Sequence, residues 1–371
     1  MTDLAVVGGG PAGLAVAIGA RLAGLTVAVL ERSRPPVDKA CGEGLMPDAV
    51  AHLRALGVEI EEGHPFRGIR YVDGDAVAEG VFPQAGGLGV RRLDLHRALV
   101  RRAEAVGVRL AWGTAVRGLP PGPPYAGIET GAGLLPARWI VGADGLRSRV
   151  RRWAGLEGPA ATSIGAGRFG VRRHFALPPW TDCVEVHWGP GCEAYVTPVG
   201  REEIGIALLW SGGTSGFDAL LARFPGLEER VAGAPVASRD RGAGPLHQQV
   251  RGVRRGNLAL VGDAAGYLDA ITGEGLAVAF HEAAALVTAL RGGDLAPYPA
   301  AWRRINRLPN AMTSLVLGLE RRPRLRARAI RALAAEPALF SRLLGIHGRT
   351  LPARDLGLDG ALRLAWRLVA A

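Results

Sequence analysis

Leu4-Ala5-Val6-Val7-Gly8-Gly9-Gly10-Pro11-Ala12-Gly13 opens the chain, and Val27-Ala28-Val29-Leu30-Glu31 completes the unit that decides the fold. A short apolar run stops at glycines, an Ala/Leu-rich stretch follows to Leu22, and a second apolar run ends on an acid. This order predicts strand, tight turn, helix and strand, a βαβ unit. Gly8, Gly10 and Gly13 fit G-x-G-x-x-G at the strand-to-helix turn. Gly8 permits the turn, Gly10 lets the backbone approach a pyrophosphate, and Gly13 allows close helix–strand packing. The helix start at Ala12 offers free N–H groups to the phosphates. Glu31 is placed to accept hydrogen bonds from ribose hydroxyls, which disfavours a 2′-phosphate. The loop is therefore read as a site for NAD or FAD rather than NADP.

Working outward, the pattern recurs. Residues 92–107 predict a helix with Leu95 and Leu99 on one face and Gly107 as its stop. Trp139–Val141 and Leu258–Val261 are short apolar runs ending at Gly142-Ala143-Asp144-Gly145 and Gly262-Asp263, and residues 275–290 predict a long apolar helix. Residues 62–90 and about 160–250 differ in style. They are rich in Gly and Pro, with alternation such as Val184, Val186, Trp188, and predict a mostly antiparallel sheet. The expected fold is α/β with an α+β insert: a Rossmann-like domain from 1–61, 91–157 and 251–300, a substrate-binding β domain from 62–90 and 158–250, and a helical region over 301–371.

Composition narrows the function classes. The 371 residues are 48% hydrophobic and 21% charged, a globular mix with a formal net charge of +11. Residues 301–371 hold 14 arginines against Glu320, Glu336, Asp355 and Asp359, so the first 300 residues are close to neutral. Within this basic end, the arginines from Arg321 through Arg331 have no aromatics interleaved, which argues against nucleic acid. Its run from Arg321 through Arg331 reads first as a solvated helix face, with weak membrane-surface contact as the alternative. Cys41, Cys183 and Cys192 have neither disulfide-framework nor zinc spacing, so no metal is expected. The uncharged stretch 4–20 is broken by glycines and lacks a basic flank, and a cytoplasmic protein is expected.

Three separated motifs resemble those of FAD-dependent oxidoreductases built like para-hydroxybenzoate hydroxylase, a superfamily that includes aromatic hydroxylases, flavin halogenases and geranylgeranyl reductases. They are the glycine loop with Glu31, the stretch Gly142-Ala143-Asp144-Gly145-Leu146-Arg147-Ser148 with Arg151, and Gly262-Asp263-Ala264-Ala265-Gly266 running on to Thr272-Gly273-Glu274-Gly275. The resemblance implies FAD as cofactor. It implies contacts from Gly8, Gly10, Ala12, Gly13, Glu31, Arg92, Val116, Asp263, Gly275 and Leu276, with Asp263 on the ribityl chain and the helix from Gly275 aimed at the flavin pyrimidine edge. NAD(P)H, lacking a second glycine loop, is expected only as a transient reductant.

The reaction divides the family. Cys41-Gly42-Glu43-Gly44-Leu45-Met46-Pro47 resembles the segment beside FAD in geranylgeranyl reductases, which adds Cys41, Gly42 and Gly44 as flavin contacts. Those reductases line the pocket with an aromatic segment, where this chain has Glu193-Ala194-Tyr195-Val196-Thr197-Pro198. A buried glutamate suits an isoprenoid tail poorly. The leading expectation is therefore a monooxygenase that hydroxylates a phenolic, quinonoid or polyketide-like small molecule with NAD(P)H and O2. The alternative is reduction of C=C bonds in an isoprenoid or lipid, and a non-enzymatic flavin module is set aside. Halogenation is disfavoured because Lys39 is the only lysine. Cys41 and Glu43 are the candidate catalytic residues, with an inert buried thiol and a turn anion as their structural readings. His187, Trp188, Glu193, Tyr195, Thr197 and Pro198 are the candidate pocket, with 193, 195 and 197 on one sheet face. His174 is read as a surface strand residue and His281 as packing.

Overall fold

A computed structural model describes residues 2–159, 167–213 and 215–357. Residues 358–371 of the expected C-terminal helical region, and 160–166 of the expected β domain, lie outside them.

The apolar runs read from the sequence pair side by side. Thr2–Val7 lies parallel to Val27–Glu31 on one edge and to Gly133–Gly142 on the other. Arg109–Trp112 continues one side and Leu258–Leu260 the other, all parallel. In chain order this is 3-2-1-4-5, and the order reverses beside Gly8, the crevice where such sheets hold ligands. The strands are near-continuous apolar runs because helices cover the sheet. Pro11–Leu22 packs on Gly275–Arg291 and on Arg92–Ala105. The mean burial of the first helix follows from alanines and glycines: a side chain at Gly19 would press on Val287.

A second sheet of seven strands is antiparallel except at one pair. Its order is Arg241–Ala243, Arg168–Phe175, Glu203–Ser211, Cys192–Gly200, Cys183–Gly189, Gly68–Asp73 and Ala76–Val81. Cys183–Gly189 runs parallel to Gly68–Asp73. One face covers Phe217 and Leu220 of one short helix, Leu227 of the next, and Phe224 between them. The other contributes Tyr195, Trp188 and Leu209 to a core with Phe340, Leu344 and Leu317 of the C-terminal helices. His64–Phe66 and Gly87–Gly89 do not join this sheet. They form a small three-stranded sheet with Gly44–Leu45, seated so closely that a Cβ on Gly89 would lie 1.7 Å from the Pro198 carbonyl oxygen.

Three long helices follow: Tyr298–Glu320, Pro323–Ala335 and Pro337–His347. Arg321, Arg322, Arg324, Arg328 and Arg331 are solvated, as the composition suggests. Arg326 is the exception. It is buried and forms a two-pronged ion pair with Asp73 at 2.8 and 2.9 Å, fastening its helix to the second sheet. No helix among the described residues is long and apolar enough to cross a membrane.

Candidate functional site

The three sequence motifs converge at the reversal point. Gly8 has φ +112°, and a Cβ there would lie 2.3 Å from the Ala143 carbonyl oxygen, so the first motif rests directly on the second. A Cβ on Gly13 would meet Gly8 O at 2.0 Å, and one on Gly262 would meet Ala12 Cβ at 2.8 Å, which joins the first motif to the third. Arg151 ties the second to the third. Its buried guanidinium donates to the carbonyls of Leu146, Asp263 and Ala264 and to Gln248 Oε1. Asp144 accepts from Ser148 Oγ and from the N–H groups of Arg149 and Val150, capping the short helix that carries Arg151.

Within this frame the glycine loop keeps a cradle open. Glu31 accepts from Gly9 N through Oε2 and from Ser33 N through Oε1, at 3.0 and 2.9 Å. Gly10 differs from Gly8 and Gly13: the nearest atom to a Cβ placed there is Arg92 Nη2, at 3.9 Å. Arg92 is 4% exposed, and its Nη1 has no hydrogen-bond partner. A buried cation with a free donor beside a loop with room for a ligand fits a pyrophosphate. Asp263 stands at the far wall, its carboxyl pushed up by burial and drawn back by Lys39, Arg92 and Arg151. The helix Gly275–Arg291 begins next to this loop, and Val116 and Leu276 pack against the surrounding core. The residues present fit FAD.

The turn at Cys41–Gly44 borders the second sheet. Cys41 is partly exposed, and burial, followed by the Glu43 charge, pushes its thiol up, so it stays protonated at neutral pH. Glu43 is 3% exposed and holds a left-handed backbone at φ +62°. Oε1 accepts from Arg92 N at 2.7 Å, and Oε2 lies 2.5 Å from His174 Nε2. Gly42 is pinned as well: Thr197 Oγ1 donates to its carbonyl at 2.8 Å.

Alternation along Arg168–Phe175 brings Arg168, Arg172 and His174 to the same face as that turn. Arg168 binds Glu193 Oε2 at 2.6 Å and Asp269 Oδ2 at 2.9 Å. Arg172 binds Asp38 Oδ1 at 2.6 Å. This corrects the reading of His174 as a surface residue, since it is 0% exposed. Its strand has a polar row facing inward because carboxylates from the flavin-side segments meet it there. His187 also changes place. It pairs across the sheet with Ala194 and bonds Glu185 at 3.0 Å, on the face opposite Glu193, Tyr195 and Thr197. Those three share one face, as alternation requires, but none meets solvent and each is engaged. Tyr195 Oη donates to Ile271 O at 2.7 Å, and Glu193 is held by Arg168. Trp188 lies on their face, in the core with Tyr195, and Pro198 is buried against the small sheet. His281 bonds His52 and Asp48 at 3.0 Å each, away from this face.

Residues 1–188 match the family described as FAD binding domain. The chain belongs to that family. This flavoprotein is similar to the menaquinone reductase of Mycolicibacterium smegmatis, at 28% identity over 81% of this chain and 79% of that one. It is also similar to digeranylgeranylglycerophospholipid reductase 1 of Methanopyrus kandleri, at 30% identity over 74% and 76%. The 6-methylpretetramide 4-monooxygenase of Streptomyces rimosus is 33% identical over 50% of this chain and 53% of that one. In fold it is similar to a solved flavoprotein/dehydrogenase from Cytophaga hutchinsonii, with a TM-score of 0.82 at 18% identity over 95% and 94% of the two chains. The chain is an FAD-dependent oxidoreductase.

Two residues of this flavoprotein escaped the sequence reading. His96 is fully buried and Nε2 sits 2.8 Å from Gly9 O, while Val37 N donates to Nδ1. Nε2 must therefore carry the proton and donate to the loop. Burial, then the Arg92 charge, lowers its pKa to about 4. The signal was present: His96 follows Arg92 by four residues, one helical turn on the same face. Glu282 is the other. Oε2 accepts from Gly262 N and Oε1 from Asn306 Nδ2, both at 2.7 Å, so it holds the third motif's turn to the C-terminal helices. Burial raises its pKa to about 7. Nothing in a lone glutamate on an apolar helix announced that partner.

Proposed function

We propose that this flavoprotein reduces C=C bonds of an apolar substrate bearing an isoprenoid chain. The observation that carries the reading is the ion pair of Glu193 with Arg168. The glutamate that had argued for a polar, hydroxylatable substrate sets Oε2 against a protein cation, which leaves Oε1 as its one atom without a partner. The inward face beside it carries an aromatic and aliphatic cluster of Trp188, Tyr195, Leu209 and Ile271, next to the polar row of Arg168, Arg172 and His174. The two reductases named above, both acting on molecules with isoprenoid chains by their names, are matched over about three quarters of this chain or more.

Reduced FAD supplies a hydride equivalent, and NAD(P)H serves as its transient reductant. The remaining proton for the alkene must come from the protein. Cys41 suits that task at Sγ because burial and Glu43 keep it a thiol. Arg92 and the loop at Gly10 hold the pyrophosphate, Glu31 the ribose and Asp263 the ribityl chain. Trp188 and Tyr195 exclude water from the reacting face. In this reading 1–61, 91–157 and 251–300 bind the flavin, and the second sheet covers the substrate.

The second reading, hydroxylation of a phenolic, quinonoid or polyketide-like molecule with O2, is favoured by the similarity to 6-methylpretetramide 4-monooxygenase. That similarity spans half of this chain. The two are separated by following the flavin absorbance of chemically reduced holoprotein under argon. Reoxidation on adding a geranylgeranyl or polyprenyl-quinone alkene supports reduction. A flavin that stays reduced until air is admitted, and is then reoxidised as the substrate is consumed, supports hydroxylation.

A further inference from the structure

His174 is unused by the function above, and Glu43 enters it only through its charge beside Cys41. His174 Nδ1 lies 2.7 Å from Ser238 Oγ and 3.1 Å from Arg172 Nη1. An arginine can only donate, so Nδ1 is an acceptor in this arrangement, and Nε2 carries the proton that it donates to Glu43. Ser238 is half-buried and sits at the outer end of the row. Nδ1 is thus the one ring position where a proton from solvent can arrive, through the serine hydroxyl.

Charged groups from every neighbouring element meet at this ring. Glu43 favours an imidazolium; Arg172 opposes it, its Nε 3.7 Å from Glu43 Oε1. Asp38 holds Arg172 at 2.6 Å and Arg241 at 2.9 Å, drawing both cations outward. Glu203, paired with Arg91 at 3.1 Å, couples electrostatically to both His174 and Glu43. On the cofactor side, Arg92 feels Cys41, Glu43 and Asp263 together. Fixed charges of both signs therefore face His174. A new negative charge in the cleft beside Arg92 tips the balance toward the imidazolium.

We propose that His174 and Glu43 form a redox-linked proton acceptor. This rests on FAD occupying the cleft at Gly10, Arg92 and Asp263, but not on which substrate is turned over. Two-electron reduction of FAD takes up one proton on the flavin and leaves one negative charge. The pair binds a second proton at His174 Nδ1, delivered from water by way of Ser238, with Arg172 turning from Nδ1 toward Asp38. The sum is two electrons and two protons from reductant and solvent. His174 and Glu43 are positioning residues for charge: they need not touch substrate.

The test uses holoprotein without substrate, so it is independent of the reductase reading. Spectroelectrochemical titration of the bound flavin between pH 7 and 8.5 reads protons per electron. One proton per two electrons gives a slope of about 30 mV per pH unit, and two protons give about 59 mV. We expect the larger slope in the wild type and the smaller in His174→Gln, which keeps a hydrogen bond to Glu43 but cannot hold the charge. A slope of about 30 mV in the wild type overturns the proposal without any variant, as do equal slopes in the two proteins. Net proton uptake by weakly buffered holoprotein, read with a pH indicator and corrected for the protons that dithionite releases on oxidation, supplies the same count should His174→Gln fold poorly.

Discussion

His96 shows how one side chain reports on the cofactor loop. Its imidazole is buried and neutral, bonded to the Gly9 carbonyl, with a folded pKa of about 4 against 6.5 for a free histidine. Because the folded value is depressed, the unfolded chain binds the proton first as pH falls. Stability is therefore full above pH 6.5 and is lost between 6.5 and 4, by roughly 3 kcal/mol at the acid end. Urea midpoints across that range will show the decline in the wild type and a flatter profile in His96→Gln. Arg168 makes a complementary case. Arg168→Ala leaves Glu193 and Asp269 buried without their cation, and should cost about 3–5 kcal/mol by denaturant unfolding. Glu193→Gln retains a neutral partner and should cost less.

At the scale of elements, the glycine loop separates folding from binding. Gly10→Ala meets no protein atom nearer than 3.9 Å, so the melting temperature without cofactor should stay within a degree or two. FAD affinity should fall at least tenfold by equilibrium dialysis, because the added methyl occupies the pyrophosphate approach. Gly13→Ala presses on Gly8 O at 2.0 Å and should lower the melting temperature itself. The parallel strands and their helices were legible in the sequence because buried strands read as apolar runs and glycine loops mark their ends. The polar row of Arg168–Phe175 was not. Arg168, Arg172 and His174 look like a solvent face, since nothing local shows that Asp38, Glu43, Glu193 and Asp269 converge on them from distant segments. The same limit applies to Glu193: its position on a sheet face was legible, its ion pair was not.

At the scale of the molecule, three motifs spread over some 270 residues close one cleft, and two sheets meet across it. The C-terminal helices complete the apolar core of the second sheet through Leu317, Phe340 and Leu344, and Arg326 fastens them to Asp73. The positive charge of that region is mostly solvated arginine beside a near-neutral body, as the composition indicates. Holding the motifs together makes stability depend on the ligand. With FAD at a thousandfold excess over its dissociation constant, unfolding should be about 4 kcal/mol harder than in stripped protein, and the melting temperature should rise with FAD concentration. An unchanged melting temperature would mean that the cleft does not take FAD. The central claim, that the bound flavin reduces an isoprenoid alkene, is tested most directly by product mass after a single anaerobic turnover. Pre-reduced holoprotein with a geranylgeranyl-bearing lipid or quinone should yield a product heavier by two hydrogens, one mole per mole of flavin oxidised. Recovery of unchanged substrate under argon, with a product heavier by one oxygen only after air is admitted, would contradict it.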